Sequence, residues 1–112
     1  MDVLNQAKID RLGNEIGHEN VPVLLGIFLG EIAEYIEELT NEQGNKGTYL
    51  KEISHALKSS AASFGAEAVC ALAIEFNAAG KAGESLDSVF YQQQMLALLS
   101  ETQQRYKSLL GK

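Results

Sequence analysis

His55 has a lysine one helical turn to either side, Lys51 and Lys58, within the stretch LKEISHALKSSAASFGA from Leu50 to Ala66. At roughly 100° per residue, Leu50, Ile53, Leu57, Ala61 and Phe64 fall on one apolar stripe, while Lys51, His55, Lys58, Ser59 and Ala62 fall on the far side. An imidazole that is unprotonated near neutral pH is nucleophilic at one nitrogen and can attack a phosphoryl group to form a phosphoramidate. Neighbouring ammonium groups stabilise the negative charge that arrives with it. Ser59, Ala62 and Ser63 have little bulk, so a large partner has room to close over the ring. The pattern predicts a site that receives an anion from another macromolecule.

The remaining chemistry-bearing residues offer little competition. No Gly-rich phosphate loop is present to hold ATP, and no carboxylate cluster beside His55 to hold Mg²⁺, so that apparatus must come from the partner. Glu31, Glu34, Glu37 and Glu38 lack a histidine at ligand spacing and read as a solvated helix face. His18, in GHENVP, reads as a solvated loop histidine. Cys70 is the single cysteine; it cannot form an internal disulfide, agrees with a reducing compartment, and reads as a small buried hydrophobe.

A chain of 112 residues suits one domain, 1–112, with its own core. With 46% hydrophobic residues, one proline and no apolar run of membrane-spanning length, the expectation is a soluble globular protein without a membrane partner. The opening MDVLNQAKID has no apolar signal segment, which places the chain in the cytoplasm. A net charge of −6 argues against nucleic acid and makes the local excess of Lys51 and Lys58 stand out. No long surface-apolar heptad demands a dimer, so a monomer is expected.

The elements that must position His55 are all helices. Asp2 offers an N-cap for a short first helix, with Leu4, Ile9, Leu12 and Ile16 inward and Gly17 as its stop. Asn20 offers a cap for a second, with Pro22 in its first turn and Leu24, Phe28, Ile32, Tyr35 and Leu39 inward to about Glu42. QGNKGT is the clearest break, after which Thr48 offers a cap for the helix that carries His55 and ends at Gly65. A fourth helix starts at Ala66, with Val69, Leu72, Ala73 and Phe76 inward, and ends near Gly80 to Gly83. A fifth spans about Ser85 to Leu110 on a stripe of Val89, Leu96, Leu99, Tyr106 and Leu110. No segment alternates with period two, so the expected fold is all-α: an antiparallel four-helix bundle with a short additional N-terminal helix.

H-A-L-K-S-S-A-A-S-F-G resembles the H-x-L-K-G-S-S/A-x-x-x-G signature of the histidine-containing phosphotransfer (HPt) family, matched at His55, Leu57, Lys58, Ser60 and Gly65. The resemblance implies a four-helix bundle with an accessory helix. It further implies His55 as phosphoacceptor, Lys58 as a cation that helps hold the phosphoryl group, and Gly65 as the residue that closes the helix. Lys51 would add auxiliary charge. The family's usual glycine after the lysine, which gives an incoming receiver domain its clearance, is Ser59 here. A polar side chain from the following helix often bonds the acceptor histidine in this family; Asn77 stands at that position. The likeness runs along the whole chain to phosphorelay carriers of bacterial quorum sensing. It implies a stoichiometric intermediate rather than an enzyme, passing the phosphoryl group from the receiver domain of a hybrid sensor kinase to a response regulator. It has no cofactor of its own, and the receiver supplies Mg²⁺. Ser59, Ala62, Ser63 and Phe64, with residues of the first helix, would form the docking area. The rival readings are a non-catalytic helical adaptor with an incidental His55, and the dimerisation domain of a histidine kinase. The latter class pairs with an ATP-binding domain for which this chain has no room.

Overall fold

The computed structural model describes residues 2–41 and 46–111, which form five α-helices and no strand. These are α1 (Gln6–Ile16), α2 (Val21–Thr40), α3 (Lys46–Phe64), α4 (Glu67–Lys81) and α5 (Val89–Leu110), with one 3₁₀ turn, His18–Asn20, between α1 and α2. The four longer helices pack as a bundle, and α1 lies across the end where α3 turns into α4, the whole measuring 41 × 26 × 21 Å. The middle of the core is made by Leu25, Phe28 and Ile32 of α2, Leu50, Ile53, Leu57 and Ala61 of α3, Val69, Ala73 and Phe76 of α4, and Met95, Leu99 and Tyr106 of α5. Each fully buried side chain of leucine or phenylalanine size contributes ~1.5–3 kcal/mol.

Helix boundaries differ from the sequence expectation where a tertiary contact overrules a local signal. Asn5, not Asp2, caps α1: its side-chain oxygen accepts from the Lys8 N–H at 3.3 Å, and its own N–H donates to the Gly65 carbonyl at 2.7 Å. Among the polar residues near the N-terminus, the one tied to the α3–α4 corner becomes the cap. Asn20 does not cap α2 with its side chain; its amide donates back to the Ile16 carbonyl at 2.7 Å and so closes α1 instead. Pro22 does lie in the first turn of α2, where its missing N–H is harmless. The Glu42 end expected for that helix, and the first part of QGNKGT, lie outside the described residues.

Thr48 is inside α3, which begins at Lys46. Gly47 is the reason that a glycine belongs in this first turn. It is buried, and a Cβ on it would run into the carboxylate of Asp87 from the α4–α5 connection. In α2 the buried stripe passes through Leu25 rather than Leu24, and Tyr35 is half-buried, its ring edge-on to Tyr49 of α3 at 6.4 Å. The α3 and α4 stripes are buried as their periodicity predicts, apart from a half-buried Phe64. Helix α5 starts at Val89 behind a Ser88 cap whose hydroxyl accepts from the Phe90 N–H at 3.2 Å. Leu86, in the preceding extended link, takes the core place that the stripe assigned to Val89, leaving Val89 61% exposed.

Candidate functional site

His55 lies near the middle of the 19-residue α3 with its side chain in solvent. Its sequence neighbours hold the helix in place from beneath: Ile53, Ser54 and Leu57 are buried. The histidine is thus an exposed ring on a helix whose opposite face is packed. Among the described residues no hydrogen bond or ion pair engages the His55 ring or the ammonium groups of Lys51 and Lys58. Lysine–carboxylate pairs form elsewhere, Lys8 with Glu67 at 2.8 Å and Lys46 with Glu38 at 3.8 Å.

The two lysines are not equivalent. Helical side chains lean toward the N-terminus, over the turn before their own Cα. Lys58 therefore leans over the turn that carries His55, whereas Lys51 leans away from it. The Lys51 stem lies against the backbone of α4 at Gly80, where an added Cβ would be 3.2 Å from Lys51 Cγ and 3.4 Å from Cδ. Both lysines are half-buried through their alkyl stems. Deeper along the same interface, the Cys70 thiol is 3.7 Å from the Lys58 carbonyl. Cys70 is half-buried rather than enclosed.

Around the ring, Ser59 and Ser63 are exposed and Ala62 is half-buried. The Ser63 hydroxyl donates back to the Ser59 carbonyl at 3.1 Å, which keeps it folded onto the helix. Phe64 spends one ring face on the core: it stacks on Phe28 with centroids 4.8 Å apart and planes 19° from parallel. What it can offer a docking partner is its remaining exposed edge. Asn77 is half-buried on α4, and its amide makes no hydrogen bond among the described residues, to His55 or otherwise.

Gly65 ends α3 in a Schellman motif. Its φ is +75°, the Ala66 N–H donates to the Ala61 carbonyl at 2.9 Å, and the Gly65 N–H donates to Ala62 at 3.4 Å. A Cβ at Gly65 would meet the Asn5 carbonyl oxygen at 2.7 Å, so both the left-handed backbone and the close approach of α1 require glycine. Tyr106 of α5 donates to the Phe64 carbonyl at 2.6 Å, and Glu67 accepts from Lys8 and from the Asn5 amide at 3.2 Å. Four helices thus converge on the last turn of α3. Sequence reasoning placed Tyr106 in the core stripe and passed over its hydroxyl, and it took Asn5 for an ordinary helix residue.

Surface hollows lie away from this face. One, of about 210 Å³, is lined by Ile9, Asp10, His18, Pro22, Leu25 and Leu110 among others; another by Glu34, Glu37, Glu38 and Tyr49. His18 is exposed beside the first, with Nε2 at 3.2 Å from Asn14 Oδ1. Along the acidic face of α2, burial, reinforced by Glu31, pushes the Tyr35 phenol up to about 12. Burial, then Glu38, raises Tyr49. No group of three His, Cys, Asp or Glu side chains that could hold a metal occurs among the described residues. Nor is any described helix long and apolar enough to cross a membrane.

An all-helical bundle that presents a histidine and a lysine three residues later on a convex helix face defines a histidine phosphotransfer module, and the chain belongs to the Hpt domain family, which matches residues 23–105. It is 52% identical to the phosphorelay protein LuxU of Vibrio cholerae over 108 residues, covering 96% of each chain. To the phosphorelay protein LuxU of Vibrio harveyi it is 55% identical over 108 residues, 96% of this chain and 95% of that one. The phosphorelay protein LuxU of Vibrio vulnificus is 50% identical over 109 residues. No solved structure matches the chain.

Proposed function

We propose that this protein is a phosphorelay carrier of the LuxU kind, taking a phosphoryl group onto His55 from the receiver aspartate of a hybrid sensor kinase and passing it to the aspartate of a LuxO-like response regulator. It would work as a cytoplasmic monomer in bacterial quorum sensing. In the first step a ring nitrogen of His55 attacks phosphorus; the N–P bond forms as the bond to the aspartate oxygen breaks and the carboxylate leaves. The second step is the same displacement in reverse on another aspartate. Lys58, three residues on from His55, would place an ammonium group where the phosphoryl oxygens arrive.

The observation that carries this reading is an exposed His55, unengaged among the described residues, on a helix anchored from below, with Lys58 three residues on. A receiver's active site is concave and a convex presenter can enter it, so the metal ion and in-line geometry can come from the partner. The chain then serves as a stoichiometric intermediate, with neither ATP nor a metal of its own. The alternative, a helical adaptor with an incidental His55, predicts no covalent intermediate.

The test is incubation with an isolated receiver domain phosphorylated on aspartate by acetyl phosphate, followed by intact-protein mass measurement and acid and alkali treatment of the label. Acid-labile, alkali-stable label on the wild type and none on His55→Gln is expected. Equal labelling of His55→Gln, or labelling that depends on His18, overturns the proposal.

A further inference from the structure

The Lys51 stem is held in place by a second helix. Gly80 gives it the room: its missing side chain leaves a shallow saddle in α4, and Cγ, Cδ and Cε of Lys51 would lie 3.2, 3.4 and 3.6 Å from a Cβ there. The stem thereby rests across the α3–α4 seam, so the ammonium group is carried on the α4 side of the His55 face. No carboxylate of the described residues pairs with the ammonium, although acidic residues outnumber basic ones 15 to 9.

From this geometry we infer that Lys51 is a partner-docking cation, held in position by Gly80, and not a second ligand of the phosphoryl group. The inference rests on the carrier reading above and assigns a division of labour within it. A receiver that phosphorylates or accepts from histidine must bring an aspartate and the carboxylates that hold its metal ion, so the surface it brings to His55 is rich in carboxylates. The present chain, at −6, repels such a surface over most of its own. An unpaired ammonium group set off to one side of His55 meets a rim carboxylate while the phosphoryl group is handled at His55 and Lys58. Charges at the rim of an interface act on encounter and salt dependence, whereas charges at the reacting centre act on the limiting rate. Gly80 is a positioning residue, acting through Lys51 alone.

Single-turnover transfer from the phosphorylated receiver, measured against receiver concentration at low and high salt, separates the two roles. Lys51→Met keeps the stem and removes the charge. It is expected to raise the half-saturating receiver concentration about two- to fivefold at low salt, the range of an exposed charge pair, and to flatten the salt dependence. Its limiting rate should stay within about twofold of wild type, since a remote charge does not touch the reacting atoms. Lys51→Arg should retain wild-type values. Gly80→Ala should move the half-saturating concentration in the same direction, and add nothing when combined with Lys51→Ala, a cycle that thermal unfolding of each variant accompanies. A fall in limiting rate with unchanged half-saturation in Lys51→Met overturns the inference, and so does a Gly80→Ala effect that persists undiminished in the Lys51→Ala background. Wild type that takes no label at His55 overturns the carrier reading itself; labelled wild type with an unaltered Lys51→Met overturns only the role given to Lys51.

Discussion

The hydroxyl of Tyr106 donates a 2.6 Å hydrogen bond to the main-chain carbonyl of Phe64, joining the C-terminal part of α5 to the final turn of the helix that carries His55. Tyr106→Phe removes that donor and leaves the carbonyl unpartnered, and should cost about 1–2 kcal/mol in urea unfolding at neutral pH. Burial, then the charge of Glu67, pushes the Tyr106 phenol above its ordinary range. The fold favours the neutral phenol, so the contribution is whole below the ordinary tyrosine pKa of about 10 and is lost as pH rises beyond it. Wild type should therefore lose stability above that pH, and the variant less steeply. A residual slope remains from Tyr35, which is also raised.

Acid acts at the other side of the same junction. Hydrogen bonds from Lys8 and then Asn5 hold the Glu67 carboxyl below its usual range. A lowered folded value means that the contribution is present above the ordinary glutamate pKa of about 4.3 and disappears as pH falls through the folded value. Glu67→Gln should flatten the melting temperature between pH 5 and 3, a window set by that ordinary pKa of about 4.3 and by a folded value below it. Hydrogen exchange should show α1 as the helix that loosens, because Asn5 and Lys8 belong to its N-terminal end.

Lys58→Ala should slow single-turnover phosphotransfer to His55 by roughly tenfold to a hundredfold, the scale of removing one charge stabiliser at a reacting phosphoryl group. The melting temperature should change little, since the Lys58 ammonium has no partner among the described residues. Rapid-quench labelling with a phosphorylated receiver measures the rate.

Ser59 is exposed and its side chain makes no contact that the fold requires. Ser59→Gly should lower stability by about 0.5 kcal/mol through helix propensity and leave transfer within about twofold. Ser59→Gln, with a long side chain beside His55, should instead raise the half-saturating receiver concentration while preserving the melting temperature. A transfer assay on both variants distinguishes clearance from stability.

Periodicity was enough to read five helices and the inward stripes of α3 and α4, because those stripes are packed on one side and wet on the other. It failed where the deciding partner is distant in sequence. Gly47 reads as part of a loop until Asp87 is seen against it, and Val89 reads as core until Leu86 fills its place. The candidate face at His55 could be picked out because His55, Lys58 and Gly65 are local in sequence. Gly80 was not, since its meaning is the lysine lying over it. The Asn77 contact expected from the family resemblance is not formed in this structure.

His55 projects from a convex helix face, and the two hollows described above lie away from it. A surface of that shape admits one concave visitor at a time. On the proposed function, donor and acceptor compete for the same few square nanometres and must visit in alternation. The flow of signal through the carrier is then set as much by how quickly each visitor departs as by the displacement at phosphorus, and an overabundant visitor of either kind jams the traffic of the other.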